Sequence, residues 1–153
     1  MFWRSGWRFL GLCAVALTVG LLSLTAYATT EAGPQGDWLT ENGRGVVQIE
    51  RCGDALCGRI VGIDTGPAQS MPTDAAGHPQ CGLTIISGEK PDDAGTWLGK
   101  ITDPRDGDSY QAKLWVDPRG ELRMRVFIGI PALGATQVWH RFTGRLSGDC
   151  RFA

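Results

Sequence analysis

The feature that most restricts this chain is the way its apolar residues alternate in short runs and then halt at a turn. Tyr110, Ala112, Leu114 and Val116 fill every second position, and Leu122, Met124, Val126 and Ile128 do so again after a break. Between them stand Gln111, Lys113, Arg123 and Arg125. A period of two sends successive side chains to opposite faces of an extended strand, so each run has one dry face and one wetter face. The break itself, Asp117-Pro118-Arg119-Gly120, presets a tight turn through proline and then glycine. Asn42-Gly43 is a two-residue hairpin signal, and Asp103-Pro104-Arg105-Asp106-Gly107 is a slightly longer turn of the same kind. No stretch of useful length carries a helical period.

Strands are expected near residues 37–40, 45–51, 58–64, 83–87, 96–103, 109–116, 121–128 and 136–142. Eight short strands joined mostly by hairpins predict an all-β fold, a small antiparallel up-and-down β-barrel closed so that no sheet edge is exposed. A flattened β-sandwich is the alternative. One connection, residues 65–80, is long, rich in Pro, Gly, Ala and Asp, and aperiodic, which is the composition of a lid or a mobile loop.

The N-terminus reads as an export signal. Arg4 and Arg8 give a basic start, residues 9–24 are largely apolar, and Ala26-Tyr27-Ala28 offers a small-x-small cleavage site. The apolar run is shorter than the ~20 residues of a usual spanning helix. Cys13 follows Leu12, too bulky for a lipoprotein box. The expected organisation is a signal peptide, 1–28, and one barrel domain, 29–153, with nothing spanning a membrane after cleavage. Loss of Arg4 and Arg8 takes the formal net charge from −1 to −3, which gives no reason to expect a nucleic-acid partner. The expected location is the periplasm or the outside of the cell.

Of five cysteines, four remain past the leader: Cys52, Cys57, Cys81 and Cys150. An even number in a short exported chain points to two disulfides, with three pairings open. The C-x4-C spacing of the first two lies at the edge of the zinc range, and no C-x-x-C stands at a helix start for redox work. If residues 53–56 make a four-residue hairpin loop, Cys52 and Cys57 face each other directly, at ~4.5–5.5 Å between Cα atoms, close enough to bond. Cys81–Cys150 is then the second bridge, tying the C-terminal tail to the fourth strand.

Catalytic groups are few. His78 sits in Gly-His-Pro and His140 within a strand between Trp139 and Arg141, with no nucleophile elbow or metal-protease helix. Asp103, Asp106 and Asp108 have turn chemistry and lack the terminal glutamate of a calcium loop. No enzyme activity, metal or cofactor is expected.

Gly36-Asp37-Trp38 at the first strand and Arg141 in the last resemble the calycin pattern of lipocalins and fatty-acid-binding proteins. The resemblance implies that Trp38 closes one barrel end with Arg141 across its ring. A longer series, Cys52-Gly53, Leu56 to Val61, Cys81-Gly82-Leu83, Trp97 to Ile101, Asp103-Pro104, Gly107, Tyr110 to Leu114, Leu122-Arg123, Gly129 and Thr136 to Arg141, is similar to a bacterial exported family known as domain of unknown function 2147. The likeness runs from about Gly36 to Arg141 and implies a lipocalin-like barrel in the cell envelope, with no activity attached. This chain departs from the family pattern in residues 65–80, where Gln69 and Gln80 are the only amides, and at Ala135 before Thr136.

Two functions follow as expectations. In the first, the barrel mouth binds a small apolar or amphipathic molecule, with Trp97, Tyr110 and Trp139 as aromatic wall and residues 65–80 as lid. Arg123 or Arg125 would meet an anionic headgroup if their face, rather than the Leu122–Ile128 face, points inward. In the second, the barrel is filled and its outer surface serves as a non-catalytic interaction module for an envelope protein.

Overall fold

The computed structural model describes residues 33–67, 70–92 and 94–152. The expected signal peptide, 1–28, with its Cys13, lies outside the described residues, as does Gln69. The chain forms β1 (Gly36–Leu39), β2 (Gly45–Cys52), β3 (Ala55–Ile63), β4 (Thr84–Pro91), β5 (Trp97–Thr102), β6 (Ser109–Val116), β7 (Leu122–Phe127) and β8 (Ala135–Arg141). Each strand pairs antiparallel with the next and β8 returns to β1, closing an eight-stranded up-and-down barrel. The alternation that announced the strands is what fills it. Leu114, Leu122 and Met124 are fully buried, and Lys113, Arg123 and Arg125 stand on the opposite face.

The seam between first and last strands is short, with only Trp38 opposite Arg141 and Leu39 opposite His140. It is held by more than ladder bonds. The Arg141 guanidinium lies 3.9 Å above the Trp38 ring, donates to the Gly33 carbonyl at 2.8 Å, and donates also to the Gln35 carbonyl. Trp38 is fully buried, and its indole N–H reaches the Pro34 carbonyl at 2.7 Å. Gly36 has φ 121° beside this guanidinium, a conformation and a space that leave no room for a side chain. On the far side of the seam the Glu41 carboxylate accepts the Val138 amide at 3.1 Å.

Both disulfides form as expected, Cys52–Cys57 and Cys81–Cys150, with Cα separations of 5.8 and 6.0 Å. The geometry of the first differs from expectation. Cys52 faces Ala55 and Cys57 faces Glu50, so the bridge runs diagonally across the hairpin rather than between opposed residues. The cause is the turn: Gly53, at φ 67°, takes the first position of a two-residue connection, and β3 begins at Ala55. Asn42-Gly43 lies instead in a longer turn, residues 41–44, closed by the Thr40 amide on the Gly45 carbonyl at 2.9 Å.

The tail packs against the barrel. Leu146 and Phe152 lie against Gly62 on the outer side of β3, next to Val46, and Phe152 meets Phe142 edge to face at 5.3 Å. The Cys150 carbonyl accepts the Ile63 amide at 2.8 Å, and Arg151 donates to the buried Thr65 hydroxyl at 2.7 Å. Cys81–Cys150 therefore fixes an outer layer covering Val46, which a single sheet would leave wet.

Two predictions follow from these staples. Replacing both Cys81 and Cys150 by Ser should lower the urea midpoint more than replacing Cys52 and Cys57. The chain-entropy model gives about 4 kcal/mol for the long loop and about 2 kcal/mol for the short one; equal losses would contradict it. Arg141→Gln should cost about 1–2 kcal/mol through the lost ring contact and carbonyl bonds, with Arg141→Lys recovering only part because it lacks the planar fork. An unchanged midpoint in the Gln variant would show that the seam does not need the guanidinium.

Candidate functional site

The barrel's two ends are built from different side chains. At the end where the β2–β3, β4–β5 and β6–β7 turns meet, Trp38, Trp97 and Trp139 are buried with Leu56, Leu114 and Leu122 as a solid plug. Two cations cover it: Arg141 over Trp38, and Arg51 at 5.2 Å over Trp97. Toward the other end the inward positions carry β-branched or small polar residues, and the interior is not filled. A cavity of about 650 Å³ opens there, within the size range of small-molecule sites. Val47, Ile60, Ile63, Ile85, Ile101, Tyr110 and Val126 give it apolar walls, while Thr40, Thr102, Gln80 and Gln137 add hydrogen-bonding groups.

The charges at its rim are mostly engaged. Asp103 holds Arg105 in an ion pair at 2.5 Å, and the hydrogen bonds from that guanidinium lower the Asp103 carboxyl below its ordinary range. Asp64 accepts the Gly66 amide at 2.9 Å, and Glu41 is bound to β8. Tyr110 points into the cavity with its phenol raised above the ordinary value, first by the Asp108 charge, then by burial and by Asp106 and Asp103. It is therefore a neutral hydroxyl, able to donate and accept, at any pH near neutrality. Asp106 accepts the Asp108 amide at 2.9 Å, so these aspartates serve the turn in which they lie.

The connection after β3 has a structure of its own. Asp74 caps a tight turn by accepting the Ala76 and His78 amides at 2.9 and 2.8 Å, and the His78 backbone bond is the chief reason its carboxyl is lowered. The Ala75 amide reaches the Pro104 carbonyl at 3.0 Å, tying this loop to the β5–β6 turn across the mouth. Ser70, Pro72 and Gln80 from the loop line the cavity.

Of the five residues expected to meet a ligand, Tyr110 lies on the cavity wall and the other four lie elsewhere. Trp97 and Trp139 belong to the plug, where Trp139 donates to Gln137 at 2.9 Å and so orients one polar group of the cavity from outside it. The condition set for the arginines is not met, because Leu122, Met124 and Val126 take the inward face. Arg123 bonds Asp117 and Glu121, each at 2.8 Å, beside the closed end. Arg125 folds outward onto the Pro131 carbonyl at 2.6 Å and the Ala132 carbonyl at 3.1 Å. Trp38 and Arg141 do meet, as described above. The aliphatic walls had a signal in the sequence, since Val126 and Ile101 share the parity of buried neighbours, but which end is hollow depends on where three distant tryptophans converge.

The histidines are apart from the cavity's apolar walls and from each other, His78 exposed at 3.3 Å from Asp74 and His140 exposed at 3.4 Å from Glu121. Among the described residues no group of three or more His, Cys, Asp or Glu side chains is arranged to hold a metal ion, and no helix is long and apolar enough to cross a membrane. Comparison with curated proteins and with solved structures returned no match. The model of a family described as "uncharacterized protein conserved in bacteria (DUF2147)" matches residues 36–141, from the first strand to the arginine that closes the seam. Over that span, which holds all eight strands of the barrel, the chain belongs to this bacterial family.

Proposed function

We propose that this protein is exported to the periplasm or beyond the cell and binds a small apolar or amphipathic molecule in the open half of its barrel. The observation that carries the reading is the division of the interior. One half is packed solid by three tryptophans, and the other is a cavity of about 650 Å³ with aliphatic walls and a polar rim. Eight-stranded barrels have just enough interior for side chains or for one small ligand, and here the inward side chains run out halfway. The ligand's apolar part would lie against Ile60, Ile85, Ile101 and Val126, and its polar part would reach Tyr110, Gln137 or the rim. Export is supported by the two disulfides, which persist in oxidising compartments, and by the leader-like first 28 residues. The interaction-module reading required a filled barrel, so the cavity favours binding.

Binding is tested with a neutral apolar fluorescent probe, N-phenyl-1-naphthylamine, titrated into the disulfide-bonded protein. Saturable enhancement is expected. Ile101→Phe with Val126→Phe should weaken it at least tenfold, while Arg123→Gln, outside the barrel, leaves it unchanged. Urea midpoints must stay close to the parent's for the comparison to hold. Absence of saturable binding, or equal binding in the filled variant, would remove the proposal.

A further inference from the structure

The connection from β7 to β8 contrasts with the rest of the surface. Ile128 is 76% exposed, Ile130 56% and Leu133 81%, on one loop containing the 3-10 turn Pro131–Leu133, which buries none of its residues. From Val126 to Trp139 the sequence contains no Asp, Glu, Lys or Arg. The strands that carry this loop supply Val126 and Gln137 to the cavity, so the loop projects beside the open mouth.

Several of its backbone groups are hydrogen-bonded within the protein. The Ile128 carbonyl accepts the Ile130 amide at 3.0 Å, and the Ile130 carbonyl accepts the Leu133 amide at 3.2 Å. The Pro131 carbonyl accepts both the Gly134 amide at 3.0 Å and the Arg125 guanidinium at 2.6 Å, and Ala132 takes a second bond from Arg125 at 3.1 Å. Proline 131 has no N–H to satisfy. Four of the loop's carbonyls, those of Ile128, Ile130, Pro131 and Ala132, thus have partners within the protein. Leaving water for hydrocarbon costs several kcal/mol per unsatisfied backbone group, and these four carbonyls are spared that cost.

We propose that the β7–β8 loop is a membrane-contact loop, which seats the open end of the barrel on a lipid bilayer by inserting Ile128, Ile130 and Leu133 among the lipids. A bilayer is favoured over a protein because three side chains on one loop fall well short of the ~20–30 residues a side of a specific protein interface. The loop also carries no charge with which to fix register against a partner, and a bilayer demands none. The attachment is hydrophobic in origin. Around the same mouth Glu41, Asp64 and Asp103 stand against Arg44 and Arg105, so there is no excess of positive charge for anionic lipid to meet. The inference stands independently of what the cavity holds.

The test is flotation of the disulfide-bonded protein with phosphatidylcholine vesicles, alone and with added phosphatidylglycerol, at low and high salt. The expected result is binding that persists at high salt, is not increased by phosphatidylglycerol, and falls at least tenfold in Ile130→Asp/Leu133→Asp. The exposed single change Leu133→Ser should give an intermediate loss, and near-ultraviolet circular dichroism checks that each variant retains the parent fold. No flotation of the parent protein, equal flotation of the variants, or binding only to anionic vesicles at low salt would overturn the proposal. So would self-association that the Asp substitutions abolish in the absence of vesicle binding.

Discussion

The barrel depends on one contact between chain segments far apart in sequence, the Arg141 guanidinium lying on Trp38. Seven of the eight strand junctions are made by neighbours in the chain, several of them by tight turns that limit the entropy cost of pairing. The eighth has to bring the two ends of the sheet together, and only two residue pairs lie in its ladder. The guanidinium supplies what the ladder lacks. It covers a buried aromatic face and satisfies carbonyls of residues 33 and 35, so the entering segment, the first strand and the last strand are fixed by one planar group. Burial shifts that arginine's pKa downward, but an arginine remains charged at any physiological pH, so the closure is not a pH switch.

Where Trp38 is placed also decides where the protein is hollow. Trp97 and Trp139 converge on the same end, and three indoles with their leucine neighbours use up the width of an eight-stranded barrel. The opposite half is left with Val, Ile, Thr, Tyr and Gln on its inward positions, too little volume to meet in the middle. The same asymmetry assigns work to the connections. Those at the plugged end are short or stapled, as at Cys52–Cys57. The two longest are at the open end: the Asp74-capped loop across the mouth and the apolar β7–β8 loop beside it. Cys81–Cys150 strengthens the open end from outside by pinning the tail to the loop's base.

Much of this was legible in the sequence, for local reasons. Period-two alternation in 109–116 and 122–127 set both the strands and the side that faces in, and the Pro-Gly and Asp-Gly turns set the order of pairing. The seam was legible only through the resemblance carried by Gly36, Trp38 and Arg141. The misplaced details are those that depend on register or convergence. A turn two residues shorter than expected moved Cys57 from opposite Cys52 to a diagonal position. Trp97 and Trp139 look like cavity aromatics until their distance along the strands from the open end is known. Arg123 and Arg125 have the right chemistry for a headgroup but the wrong parity, and parity was already visible in Leu122, Met124 and Val126. The tail, residues 143–152, shows no periodicity because it packs chiefly through Leu146 and Phe152, held by a disulfide, the Arg151–Thr65 bond and a few backbone bonds rather than by a strand.

The central claim is that the hollow half of the barrel is a binding site. It is tested most directly by native mass spectrometry of the disulfide-bonded protein recovered, without detergent, from the cells that produce it. The account predicts a reproducible population heavier than the disulfide-bonded chain by the mass of one small apolar or amphipathic molecule, released on denaturation. A bare chain in every preparation, unchanged when lipid extract from the same cells is added back, would contradict it.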